Sequence, residues 1–232
     1  MTNPRHTSPA AADVATEAAR YALLRRLAVA IRHDMMAHLQ PISMTGEVLQ
    51  RRLRVPEPDL GQVREDVTRI TTFSREAVQS CLDVITWLTP EVDRAVPVHS
   101  VVGETVALLG SSFGFRGFNL RDESAGADWL VLRPGLRLLL PACLFLLSDD
   151  AGPPADITIT AALSEDRVRV LLSLEPAEGP EGVLNDPPYR PLARAEVEAL
   201  ARAEGIDFDV AGDSIGLRLP QARAGGSDAE VE

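Results

Sequence analysis

The chain contains no lysine: all 23 of its basic residues are arginine, set against 34 acidic side chains for a net charge of −11. Phosphate contacts need clustered cations, so this acidic balance argues against a nucleic-acid partner. Cysteine is scarce. Cys81 and Cys143 lie in apolar, helical-looking runs, their spacing fits no metal motif, and buried free thiols are expected. Long apolar runs are missing too. The longest, Leu136 to Leu147, is too short to span a bilayer and is broken by Arg137 and Pro141. Residues 1 to 12 are rich in Pro, Ser and Ala without an apolar core, which does not fit a signal peptide. No membrane association and a cytoplasmic location are the expectation.

The residues that are present are ordinary for a soluble globular protein: 232 in all, 45% apolar and 25% charged. That length allows one sizeable core or two small ones. Residues 1–14 read as a disordered N-terminus. A helical pattern then runs to about Val55, with Leu24, Leu27, Ile31, Met35, Leu39, Ile42, Leu49 and Leu53 recurring at helical spacing. Pro41 interrupts it and should bend the helix or cost a hydrogen bond. Arg54-Val-Pro-Glu-Pro-Asp59 reads as a turn, with Asp59 placed to cap the next helix.

That second helix is expected from about Leu60 to Leu88, with a near-heptad pattern. Leu60, Val67, Ser74, Cys81 and Leu88 form one seam; Val63, Ile70, Ala77 and Val84 form another. Two long helices and a short turn make an antiparallel hairpin over residues 15–90. A lone hairpin cannot bury such stripes. A second copy would complete a four-helix bundle as a homodimer; stacking on the rest of the same chain is the alternative.

After a linker at 91–97, residues 98–221 change character. Helical patterns at His99 to Ser112, Leu136 to Ser148 and Leu192 to Glu204 alternate with short strands at Phe118 to Leu120 and Trp129 to Leu132. A hairpin spans Ser164-Glu-Asp166, and a last strand pair covers Ile206 to Val210 and Ser214 to Leu219. Gly205 is a helix stop signal. The class is α+β, a sheet covered by helices on one face. An acidic tail occupies 222–232.

The segment Ile31-Arg-His-Asp-Met-Met-Ala-His-Leu-Gln-Pro-Ile42 carries two histidines. At about 100° per residue, with Ile31 at zero, Met35, Ile42, Leu49 and Leu53 fall within about 40° of it. His38 falls inside that stripe, about 20° away, and is expected to help fill the bundle. His33 falls at about 200°, on the opposite face. Its face carries Ala30, Ala37, Gln40 and Met44, with Arg26 further out; small residues there leave room for a docking partner. Asp34 is placed to orient the His33 ring and leave its Nε2 as nucleophile. A solvated polar pair at a random helix position is the bland alternative.

His33-Asp34-Met-Met-Ala-His-Leu39-Gln40 resembles the H-box of Spo0B-type phosphotransferases and related sensor kinases, roughly His-Asp-aromatic-x-Asn-x-Leu-Gln. His33, Asp34, Leu39 and Gln40 match; Ala37 replaces the usual Asn, and Pro41 comes directly after. Histidine kinases and ChpT-like phosphotransferases pair such a hairpin with a GHKL-type ATPase-like domain. The element order from His99 to Pro220 is similar to that domain. The resemblance covers roughly residues 20 to 221 and implies a histidine phosphotransferase with a degenerate GHKL-like sandwich. Where an N-box would supply Asn residues, Leu146 and Asp150 stand. Where a glycine box would come after a strand, the chain reads Glu175-Pro-Ala-Glu-Gly-Pro-Glu-Gly182. The acidic loop would repel a triphosphate. No cofactor is expected on this chain, and Mg²⁺ is expected on a partner receiver domain. The implied partners are response-regulator receiver domains and a hybrid histidine kinase. A non-catalytic pseudo-kinase that only binds a kinase or regulator is the second reading; an active kinase lacks its boxes.

Overall fold

A computed structural model describes residues 11–88, 94–179, 182 and 189–223. Residues 1–10 of the expected disordered terminus, 89–93 at the hairpin's end and the expected linker, 224–232 of the tail and most of the acidic loop after Gly179 lie outside that description. So do the side chains of Val84 and Leu88 in the two heptad seams. The chain divides into two units: Leu27–Glu91, and a second made of Met1–Arg26 with Val92–Glu232.

The first unit holds most of α1 (Ala11–Arg52) and all of α2 (Leu60–Leu88). Residues 11–14, expected to be disordered, are helical, in keeping with the high helix propensity of the alanine run. Pro41 sits inside α1 and the helix continues through it. Two stop signals, Pro56 and Pro58, coincide with the turn between the helices. Asp59 caps α2 as expected: its Oδ1 accepts the backbone N–H of Gly61 at 2.8 Å and of Gln62 at 3.3 Å.

The helices pair antiparallel. Asp34 meets Ser80, His38 meets Glu76, and Arg52 meets Asp66. One heptad seam therefore faces α1: Val63 and Ile70 are half-buried and Ala77 is buried. In the other seam Leu60 and Val67 are exposed while Ser74 and Cys81 are half-buried; Val78, Leu82 and Ile85 beside it are exposed as well. Near the turn, buried Asp66 receives Arg52 Nη1 at 2.8 Å.

The second unit is an α+β sandwich. A two-stranded piece, β1 (Ala95–Pro97) with β3 (Leu130–Leu132), pairs Val96 with Val131. Ala95–Pro97 was expected as linker; β3 supplies the hydrogen-bonding edge that turns it into a strand. The main sheet has five strands in the order β2 (Phe118–Asp122), β4 (Ala155–Ser164), β5 (Arg167–Pro176), β7 (Ser214–Pro220), β6 (Asp207–Ala211). β2 runs parallel to β4 and the other pairs are antiparallel.

Alternation puts Ile157 and Ile159, Val168, Val170 and Leu172, and Ile215, Leu217 and Leu219 on one buried face. α3 (Val98–Phe115), α4 (Arg133–Asp150) and α5 (Arg194–Ala203) cover it. α4 is buried almost all round from Gly135 to Ser148, which explains a helix apolar on every side. Burial pushes the Cys143 thiol upward, so it stays a protonated apolar filler. α5 buries Val197, Leu200 and Ala201, the spacing of an amphipathic helix. Gly205 comes next with φ +65°, and its N–H bonds the Arg202 carbonyl at 3.2 Å.

The start of α1 belongs to this sandwich rather than to the hairpin. Ala19, Ala22 and Leu23 are fully buried, Arg20 pairs with Glu204 at 2.8 Å, and Tyr21 lies edge-on to Tyr189. Sequence periodicity merged the two because one helix runs through both.

Candidate functional site

His33 is exposed on α1, as its helical phase requires. The same outer surface carries exposed Ala37, Gln40 and Met44. Two residues expected there are not available. Arg26 is 4% exposed and forms a bidentate pair with Asp149, while its guanidinium lies 4.2 Å from the centre of the Phe145 ring. Ala30, one turn on, is also buried. Wheel phase placed Arg26 outside because it treats a helix as having one wet side from end to end. The α1 start has a core of its own to fill.

Asp34 and His38 turn to the inner seam. Ser80 Oγ donates to Asp34 Oδ2 at 2.7 Å. The other Asp34 oxygen lies 3.9 Å from His38 Nε2, and His38 Nδ1 lies 4.0 Å from Glu76 Oε2. His38 is half-buried between two carboxylates from different helices, in line with its place in the stripe. Ser80 and Glu76 are not among the residues that the sequence marked for this site. Their only signal was antiparallel pairing with the His33–Gln40 segment, which requires the register of the hairpin to be known.

Neighbouring helical side chains diverge by about 100° and do not face each other. A carboxylate directly after His33 is therefore aimed by its surroundings, and here one of its oxygens is engaged by α2. Chemically, the arrangement offers one accessible imidazole on an outer helical face. An anionic group stands one residue away, its direction set from across the seam.

In the sandwich, Leu146 is buried in the core and Asp150 is exposed at the end of α4. Between α4 and the start of α1, Asp149 is shared: Arg26 binds both its oxygens and Arg116 Nη2 bonds Oδ1 at 3.0 Å. Arg116 also reaches the Ser148 hydroxyl at 3.0 Å and stacks near Phe113 and Phe118. Burial lowers the Arg116 guanidinium from its ordinary value, opposed by Asp149 and reinforced by Arg26. Among the described residues, no group of three His, Cys, Asp or Glu side chains could hold a metal, and no helix is long and apolar enough to cross a membrane.

No protein-family model and no curated protein matches the chain. Solved structures do. The catalytic domain of the histidine kinase ThkA, in a nucleotide-free form, is 14% identical with a TM-score of 0.43, covering 56% of this chain and 97% of that one. The Acinetobacter baumannii histidine kinase AdeS is 15% identical with a TM-score of 0.42, over 77% of this chain and 96% of its own. A bacterial phosphotransferase is 16% identical with a TM-score of 0.38, over 92% of this chain and 98% of its own.

Proposed function

We propose that the chain is a cytoplasmic histidine phosphotransferase of two-component signalling, relaying phosphoryl groups between receiver-domain aspartates through His33. The observation that carries this reading is the split of the H-box. His33 stands exposed on the outer face of α1, while Asp34 and His38 turn inward to α2. An imidazole kept out of the seam, with small and unbranched neighbours Ala37, Gln40 and Met44, leaves room for a receiver's phosphorylated loop.

In the relay, the Nε2 lone pair of His33 attacks phosphorus in line. The N–P bond forms as the acyl P–O bond breaks, and its electron pair leaves with the receiver's carboxylate. The ring retains its Nδ1 proton and carries the transient positive charge. A second receiver's carboxylate then attacks the phosphorus, and the N–P pair returns to Nε2. Mg²⁺ belongs to the receiver in this scheme. The C-terminal sandwich takes no part in ATP chemistry and serves as a support or contact surface. The open Leu60 and Val67 seam, with Val78, Leu82 and Ile85, is the surface a second copy would cover in a homodimer.

The test is incubation with a radiolabelled phospho-receiver. Acid-labile label on the chain, absent from His33→Ala, is the expected result. No label on the wild-type protein overturns the relay and leaves a binding-only role.

A further inference from the structure

We propose that Ser80 of α2 is a positioning residue for Asp34, so that the direction of the carboxylate beside His33 is fixed by the partner helix of the hairpin. This rests on the reading of His33 as the phosphoacceptor.

The first observation is where the Ser80 hydroxyl goes. Inside a helix, Ser and Thr hydroxyls usually bond back to the carbonyl four residues earlier. On α2, Thr68, Thr71 and Thr72 do so, at 2.9, 2.9 and 3.1 Å. Ser80 instead crosses the seam to Asp34 Oδ2 at 2.7 Å. That distance is in the short range typical of a hydroxyl on a carboxylate.

The second observation is burial. Ser80 is 6% exposed, so water competes poorly for its hydroxyl. A bond of this kind, in a partly desolvated seam, holds a carboxylate rotamer more firmly than a surface contact does. His38, one turn along the same helix, places its Nε2 3.9 Å from the other Asp34 oxygen. Asp34 is thus held from across the seam by Ser80, a contact set by the α1–α2 register. Adjacent side chains on one helix do not face each other, so the sequence position of Asp34 alone does not place its charge relative to the His33 ring. Ser80 does.

The test uses the full chain. Ser80→Ala should slow single-turnover phosphoryl transfer about tenfold, the order expected when a hydrogen bond to a charged group is lost. Receiver affinity by calorimetry should stay within about twofold. Ser80→Thr restores the hydroxyl and should restore most of the rate. The Ser80→Ala/Asp34→Asn double variant should be no slower than Asp34→Asn alone, because both act through one carboxylate. In the unphosphorylated protein, ¹⁵N spectra of the His33 ring should shift its tautomer balance in the same direction in Ser80→Ala and Asp34→Asn. Wild-type rates in Ser80→Ala, additive losses in the double variant, or an unmoved His33 ring would overturn the proposal. If wild-type protein takes no label yet the ring responds to both substitutions, the relay fails while the Ser80–Asp34 linkage stands.

Discussion

Arg26 holds both carboxylate oxygens of Asp149, and both residues are nearly buried. Removing one partner of such a pair strands the other charge, which costs about 3–5 kcal/mol. Arg26→Ala is expected to lose about that much in denaturant unfolding. Arg116→Ala should lose less, since Asp149 keeps its bidentate partner. An Arg26→Ala protein as stable as wild type would mean that water reaches Asp149 freely.

Glu196 supplies half of a capping box at the start of α5. It accepts the Ala193 backbone N–H at 2.9 Å, while Ala193 has no side-chain oxygen to return the bond. Arg190, bonded to both Glu196 oxygens, together with that N–H holds the carboxyl below its ordinary value of 4.5. A lowered carboxyl stabilises the fold above its unfolded value, and that stability is lost as pH falls through the folded one. Glu196→Gln should therefore cost about 0.5–1 kcal/mol near neutral pH. The gap from wild type should close below about pH 4. Thermal unfolding across the acid range up to neutral pH checks it; a constant gap would assign the effect to packing.

The open α2 surface predicts a homodimer at micromolar concentration. Leu82→Glu, placed between exposed Val78 and Ile85, should shift sedimentation toward monomer while the sandwich stays folded. Monomeric wild-type protein would show that the seam is covered by something other than a second copy.

Much of this fold was readable because periodicity and punctuation agree locally. The turn prolines and Asp59 fixed where α2 begins, and Gly205 marked the end of α5. The hairpin read across Ser164-Glu-Asp166 is the β4–β5 pair, whose register places Ile157 opposite Leu174. The features that escaped depend on tertiary placement. Val96 is a strand residue only because Val131 lies beside it. Arg26 is buried only because Asp149 and Phe145 meet it from far along the chain. The exposure of His33 is set by helix phase alone, whereas the partners of Asp34 require the hairpin register.

The sandwich should not bind ATP·Mg²⁺. Leu146 fills the core where the resemblance to histidine kinases would place a polar box residue, and Asp150 offers a carboxylate where an Asn amide would stand. A ligand at 100 times its dissociation constant would add about 2.7 kcal/mol. A thermal-shift titration to millimolar nucleotide should therefore stay flat, and a rise in melting temperature would contradict the prediction.

His33 and His38 should respond oppositely to removal. His33→Ala truncates an exposed side chain, so stability should change by about 0.5 kcal/mol or less. Phosphoryl transfer should be lost with it, because the other imidazole of the segment faces the seam. His38→Ala removes a half-buried ring lying between Asp34 and Glu76. It leaves those two carboxylates without the group between them and opens space in the seam, for a cost of about 1–3 kcal/mol. Label should still appear on that variant below its melting range. Asp34→Asn should fall between the two, with the dimer intact and transfer slowed, since the seam keeps a polar partner for Ser80 but His33 loses the neighbouring charge. Unfolding curves and one transfer assay on the three variants separate these outcomes. Label retained in His33→Ala and lost in His38→Ala would move the acceptor role to the inner histidine, and label retained in both would end the relay reading.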